Sequence, residues 1–130
     1  MSNYWTTFAT NDLERSRSFY AELGLEVRPG PDGVPCFTVH PAEGATVCFF
    51  AREAFAAMVP GEVCDAARSQ ETVQSLGLES REEVDAILAR AEAAGASRHS
   101  KASEQPYGYG GGFSDPDGHA WAVLHFAGER

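Results

Sequence analysis

The chain has 130 residues, 43% of them hydrophobic, and a formal net charge of −9 at neutral pH. That length suits one domain, which on folding buries roughly two-thirds of the surface of the unfolded chain. The ordinary composition argues against disorder. The acidic balance argues against a phosphate backbone or an anionic lipid surface as main partner, so no nucleic acid and no membrane is expected. No apolar stretch approaches the ~20 residues of a membrane span. The N-terminal residues lack a basic segment followed by an apolar run, so no signal peptide is expected. Cys36, Cys48 and Cys64 make an odd count without C-x-x-C spacing. This disfavours a disulfide framework or a zinc ribbon and fits a reducing cytoplasm.

Tyr4 to Ala9, aromatic and Thr-rich, predicts a first strand. Asn11-Asp12 offers a helix cap, Leu13, Phe19, Tyr20 and Leu23 share a helix face, and Gly24 ends the helix. Short strands are predicted over Leu25 to Arg28, Pro35 to His40 and Thr46 to Ala51, with turns at 29–33 and 41–44. Arg52 to Val59 reads as a short helix, and the polar stretch 62–71 reads as a connection. The pattern then repeats. Thr72 to Leu78 predicts a strand, and Ser80 with Glu83 forms a capping box. Val84, Ile87, Leu88, Ala91 and Ala94 follow helical spacing up to Gly95. Weak strands follow from Ala96, then Gly111 to Ser114, and a strong last strand runs from His119 to Phe126. The expected organisation is one domain over 1–130, with repeats at about 1–60 and 70–130.

Two segments carry a family resemblance. Asp12-Leu13-Glu14-Arg15-Ser16-Arg17-Ser18-Phe19-Tyr20 is similar to the D-L-x-x-S-x-x-F-Y opening helix of the glyoxalase / bleomycin-resistance / extradiol dioxygenase (vicinal oxygen chelate) superfamily. Phe113-Ser114-Asp115-Pro116-Asp117-Gly118-His119-Ala120-Trp121 resembles the F-x-D-P-D-G-H-x-W segment that leads into that family's last strand. The resemblance implies an α+β fold. Its two βαβββ repeats form a cupped, barrel-like mixed sheet with helices outside, usually in a homodimer, and a small-molecule ligand sits in the cup.

Metal-dependent members hold a divalent ion with four side chains, typically His or Gln, then Glu, His and Glu. Carried over by offset from the motifs, these positions fall on Trp5, Cys48, Val73 and Ala122. One thiol among three non-ligating residues does not make a site for such an ion. The resemblance therefore implies no metal and no cofactor here, which disfavours glyoxalase I and extradiol chemistry. Of the four histidines, His119 and His125 are expected on the far face of the last strand, away from Ala122, Leu124 and Phe126.

Positions sharing the parity of the lost ligands are expected to line the cavity: Trp5, Thr7, Thr46, Cys48, Phe50, Val73, Ser75, Gly77, Ala122 and Leu124. This is an apolar wall with a few hydroxyls, suited to a small apolar or aromatic molecule. The Gly-rich run 105–112 adds Tyr107 and Tyr109 as a lid, a rim or a loose turn. Three functions fit. The first is a metal-independent small-molecule binder. The second is a metal-independent lyase or isomerase using Tyr107, Tyr109, His119 or Glu104. The third is a degenerate dimerisation module. The sequence leaves binder against enzyme open and names no catalytic residue.

Overall fold

A computed structural model describes residues 2–126. The chain divides into two compact units, Met1–Cys64 and Asp65–Arg130. The expected repeat end at residue 130 lies outside the described residues.

The first unit runs β1 (Thr6–Thr10), α1 (Leu13–Glu22), β2 (Glu26–Pro29), β3 (Cys36–Ala42), β4 (Ala45–Ala51) and α2 (Arg52–Ala56). Its sheet has the order β1-β4-β3-β2, with β1 parallel to β4 and the other pairs antiparallel. The Asp12 carboxylate caps α1 by accepting from Arg15 N at 3.0 Å, satisfying one of the orphan N–H groups of the first turn. Phe19, Tyr20 and Leu23 bury the inner face of this helix against one side of the sheet. There Tyr20 lies 4.9 Å and Phe37 5.1 Å from the Phe49 ring. Each such aromatic contributes on the order of 2–3 kcal/mol of burial.

The second unit repeats this topology with β5 (Val73–Gly77), α3 (Arg81–Ala94), β6 (Arg98–His99), β7 (Ser103–Gln105), β8 (Gly108–Ser114) and β9 (Ala120–Phe126). Its order is β5-β9-β8-β6, with β7 also paired to β8 and β5 parallel to β9. β6 and β7 together take the place β2 has in the first unit. Ser80 Oγ accepts from Glu83 N at 3.1 Å, and Glu83 returns a carboxylate to Glu79 N at 3.1 Å. Val84, Ile87, Leu88 and Ala91 are buried against Leu76, Phe113, Trp121 and Val123. The fold is therefore α+β, built from two β-α-β repeats with sheets of four and five strands.

Several boundaries differ from expectation. The second helix stops at Ala56 rather than Val59. β3 continues through Pro41 with an irregularity between Val39 and Ala42, and the reversal falls at Glu43-Gly44. The largest change is at the Gly-rich run. Gly108 to Gly112 is neither lid nor loose turn but the start of β8, hydrogen-bonded between β9 and the short β6 and β7. Glycine is required there by close approach: a Cβ at Gly110 would lie 2.6 Å from Val123 O, and one at Gly112 would lie 2.8 Å from Trp121 O.

The Asp115–Gly118 turn sets β9 in place. Asp115, fully buried, accepts through Oδ1 from Asp117 N at 3.0 Å and His119 N at 2.8 Å. Gly118 has φ +104°, and a Cβ on it would sit 2.7 Å from the Ala66 carbonyl and from Ala67 Cα. Gln70 Nε2 ties this segment to the turn by donating to Gly118 O at 3.1 Å. Gly118→Ala is expected to destabilise the protein by about 2 kcal/mol or more, because left-handed strain and a backbone clash add. Urea denaturation checks this; a loss below about 0.5 kcal/mol, within the range of an ordinary surface change, would refute it.

Candidate functional site

Strand alternation gives the first sheet two chemically different faces. Phe8, Phe37 and Phe49 point toward α1. The opposite face carries Thr7, Cys48 and Thr38 in one row across β1, β4 and β3. Cys36 and Phe50 form the next row. Trp5 ahead of β1, the β2–β3 loop and Met58 beyond α2 rim this face into an open pocket of about 470 Å³. The loop reaches over the thiol of Cys36 because residue 30 is glycine; a Cβ there would meet Cys36 Sγ at 2.4 Å. Trp5, Val34 and Met58 are exposed at the rim, Trp5 by 56%.

Of the twelve residues lining this pocket, Cys36 and Cys48 are the ones that titrate. Burial, reinforced by the neighbouring Cys36, pushes the Cys48 thiol up to about 11. It is therefore protonated at neutral pH, the opposite of an activated nucleophile. The nearby cation Arg52 is committed elsewhere, donating from Nη2 to the carbonyls of Val63 and Cys64 at 3.1 Å each.

At its far end the same face turns polar. His40 stands between two hydroxyls, Thr38 Oγ1 at 2.8 Å from Nε2 and Thr46 Oγ1 at 3.4 Å from Nδ1. A second groove, of about 540 Å³, opens here along Glu26, Arg28, His40 and Thr46. Arg28 Nε donates to Glu26 Oε2 at 2.6 Å, so the pair adds no net charge. Thr46 borders both hollows. Sequence reasoning did not place Cys36, Thr38 or His40 on this face. Their shared parity along 36, 38 and 40 was the available signal.

In the second unit Ser75 lies opposite Ala122, and Leu124 opposite Gly77 and Gly110, so Ser75, Ala122 and Leu124 share a face. Tyr109 does not share it. It pairs with His125 on the α3 side, where its hydroxyl donates to Asp85 Oδ1 at 2.6 Å. That hydrogen bond is the main cause raising the Tyr109 phenol above its ordinary range. Arg81 stacks 4.0 Å above the Tyr109 ring and pairs with Glu104. Tyr109 and Glu104 thus pin β7 and β8 to α3, beside a hollow of about 370 Å³ lined by Asp85, Leu88, His99 and Lys101 among others. Tyr107 sits exposed in the β7–β8 turn. His125 lies on the α3 side, donating from Nδ1 to Leu78 O at 3.0 Å.

The residues at the carried-over metal positions do not fit a divalent ion. Trp5, Val73 and Ala122 offer no donor, and the Cys48 thiol holds its proton more firmly than a free one. Among the described residues, Asp115, Asp117 and His119 bring three ligating atoms within 4.8 Å of one another. Asp115 there is already engaged by two backbone N–H groups of its own turn.

Two β-α-β repeats, each with its first and last strands parallel and neighbouring, define a paired-repeat α+β protein with an open sheet face. The sequence model of the Glyoxalase/Bleomycin resistance protein/Dioxygenase superfamily matches residues 4–123, and the chain belongs to that superfamily. Solved structures agree in fold. A hypothetical protein SA1046 from S. aureus is 25% identical with a TM-score of 0.85, covering 96% of this chain and 94% of its own. A glyoxalase-related enzyme from Fulvimarina pelagi is 23% identical with a TM-score of 0.78, covering 96% and 88%. The bleomycin resistance determinant encoded on transposon Tn5 is 18% identical with a TM-score of 0.65, covering 97% and 99%. No curated protein matches the sequence. No helix among the described residues is long and apolar enough to cross a membrane.

The raised Cys48 thiol has a pH consequence. Between its ordinary value of 9.0 and about 11, the unfolded chain ionises at this position while the folded chain does not. Its contribution to stability is complete below pH 9 and is lost as pH rises toward 11. Cys48→Ala should therefore flatten the fall in stability across this window relative to the parent. Denaturant midpoints at pH 8, 9, 10 and 11 test it, and identical slopes in both proteins would remove the buried-thiol account.

Proposed function

We propose that this protein binds a small, largely apolar or aromatic molecule on the open face of its first sheet, without a metal ion. Thr7, Cys48 and Phe50 form the floor, and Trp5 stands at the rim. The observation that carries the reading is the lining itself: it is apolar with hydroxyls, and its two titrating groups are thiols. Such a surface stabilises a ligand by burial and stacking, and holds no acid–base pair to turn it over. Covering about 150 Å² of ligand surface supplies roughly 4 kcal/mol. That corresponds to a dissociation constant of about 1 mM, so useful affinity needs a second contact. The hydroxyls of Thr38 and Thr46, with His40 between them, supply it for a ligand with one hydrogen-bonding end. The lyase or isomerase reading finds less support, since Tyr109 and Glu104 are engaged with Asp85 and Arg81 on the α3 side.

Members of this superfamily are commonly dimers that bind small molecules. We infer a homodimer here as well. Sedimentation equilibrium at micromolar concentration is expected to return twice the chain mass, and a monomer mass would count against it.

For ligand binding, the test is titration with an apolar aromatic dye such as anilinonaphthalene sulfonate, with and without EDTA. Saturable binding unchanged by EDTA is expected, weakened about tenfold in Trp5→Ala by loss of about 1.4 kcal/mol of stacking. Binding that vanishes with EDTA would bring back a metal site. Binding that ignores Trp5 would move the ligand off this face.

A further inference from the structure

The partners of the arginines single out one place in the second unit. Arg17, Arg28 and Arg81 pair with carboxylates, and Arg52 donates to two carbonyls. Arg15 and Arg90 also have partners. The Arg68 and Arg98 guanidiniums have none among the described residues, and both line one hollow of about 280 Å³. One side of it is a row across β6, β8 and β9, formed by Arg98, Ser114 and Ala120. The other side is the segment 66–70, held in place where Ala66 and Ala67 press on Gly118 and where Gln70 donates to Gly118 O. Small residues at 66, 67, 118 and 120 leave the space between the two sides open. No carboxylate lines it, although the chain carries 19 acidic residues. The acids closest in sequence are turned to backbone. Asp65 accepts from Ala67 N at 3.0 Å, and Asp115 accepts from the N–H groups of its own turn. Two guanidiniums in so small a space repel one another, and nothing in the lining relieves this. Ser114 adds a half-buried hydroxyl that has no hydrogen-bond partner among the described residues.

We propose that Arg68, Arg98 and Ser114 bind the dianionic phosphate of a small phosphomonoester. Three features select that group. Its charge of about −1.5 to −2 at neutral pH matches two guanidiniums, whereas a single carboxylate or a phosphodiester matches one. Its three terminal oxygens are the acceptors that two forked guanidiniums and a hydroxyl require, gathered on one centre. A dicarboxylate spreads the same charge over two centres. The size of the hollow admits the phosphate and a few further heavy atoms, and the net charge of −9 opposes a polyanion. The site lies wholly in the second unit and is independent of the pocket on the first sheet.

The experiment uses the full chain in a phosphate-free buffer at neutral pH, titrated calorimetrically with methyl phosphate. Saturable binding of one methyl phosphate per chain is expected, weakening as salt is added. Arg68→Gln and Arg98→Gln should each weaken it about tenfold, as removal of a charge-assisted hydrogen bond does. Ser114→Ala should weaken it by about threefold, the loss of one neutral donor. Arg17→Gln, on α1 in the first unit, should leave it unchanged. Dimethyl phosphate keeps the tetrahedral shape but carries one charge, and should bind about tenfold more weakly. Malonate carries two charges on separate carboxylates, and should also bind more weakly. A second measurement needs no variant. Phenylglyoxal modifies accessible arginines, and methyl phosphate should protect Arg68 and Arg98 together on the parent chain, as read by peptide mass. Absence of saturable binding overturns the proposal. So does dimethyl phosphate or malonate binding as tightly as methyl phosphate, or protection that falls on other arginines.

Discussion

The parallel register between β1 and β4 sets Thr7 beside Cys48 and Phe8 beside Phe49. Side chains alternate along a strand, so a slip of one residue would exchange these rows between the two faces. The aromatic row is what α1 covers, through Phe19, Tyr20 and Leu23. Packing of those rings therefore fixes, by exclusion, which residues remain on the open side. The pocket exists because the sheet has one helix-covered face and one without such cover. Its lining is the complement of the core.

The second sheet obeys the same constraint with different side chains. Leu76, Trp121 and Val123 pack toward α3, while Ser75, Ala122 and Leu124 take the other face. Glycine at 110 and 112 leaves that face with little volume, and at 111 lets β8 approach Leu88. The Arg81–Tyr109–Asp85 cluster then acts on the covered side as a brace between β8 and α3. Two exposed charged residues around one ring contribute modestly, since solvent screens them. The cluster fixes position more than it stabilises.

Legibility in the sequence followed the range of the interaction. Both long helices were readable because their caps, Asp12 and Ser80, act within three residues of themselves. Trp5, Thr7, Cys48 and Phe50 were placed together because strand parity carries over from the motif offsets. Tyr109 was misplaced onto the pocket side. A run of glycines has no hydrophobic period, and its strand register comes only from pairing with β9, distant in sequence. Cys36 and His40 escaped notice for a related reason. Their parity within β3 was visible, but which parity faces the pocket depends on pairing with β4 across the turn at Gly44. Ser16 of the opening motif, fully buried in α1, has no partner for its hydroxyl among the described residues. A hydroxyl so placed carries a desolvation penalty of about 1–3 kcal/mol, which the adjacent burial of Phe19 and Tyr20 offsets.

The lining of the open face and the state of Cys48 share one physical cause. A face that held a divalent ion would need carboxylates and imidazoles, and those groups would keep it polar and hydrated. Trp5 and the apolar rim instead offer water few hydrogen-bonding partners. Removing water raises the thiol, because the thiolate has no compensating charge nearby. A raised thiol no longer serves as a nucleophile at neutral pH. The same desolvation that holds the Cys48 proton in place is what an apolar ligand surface exploits, since burial there displaces water that the lining binds weakly.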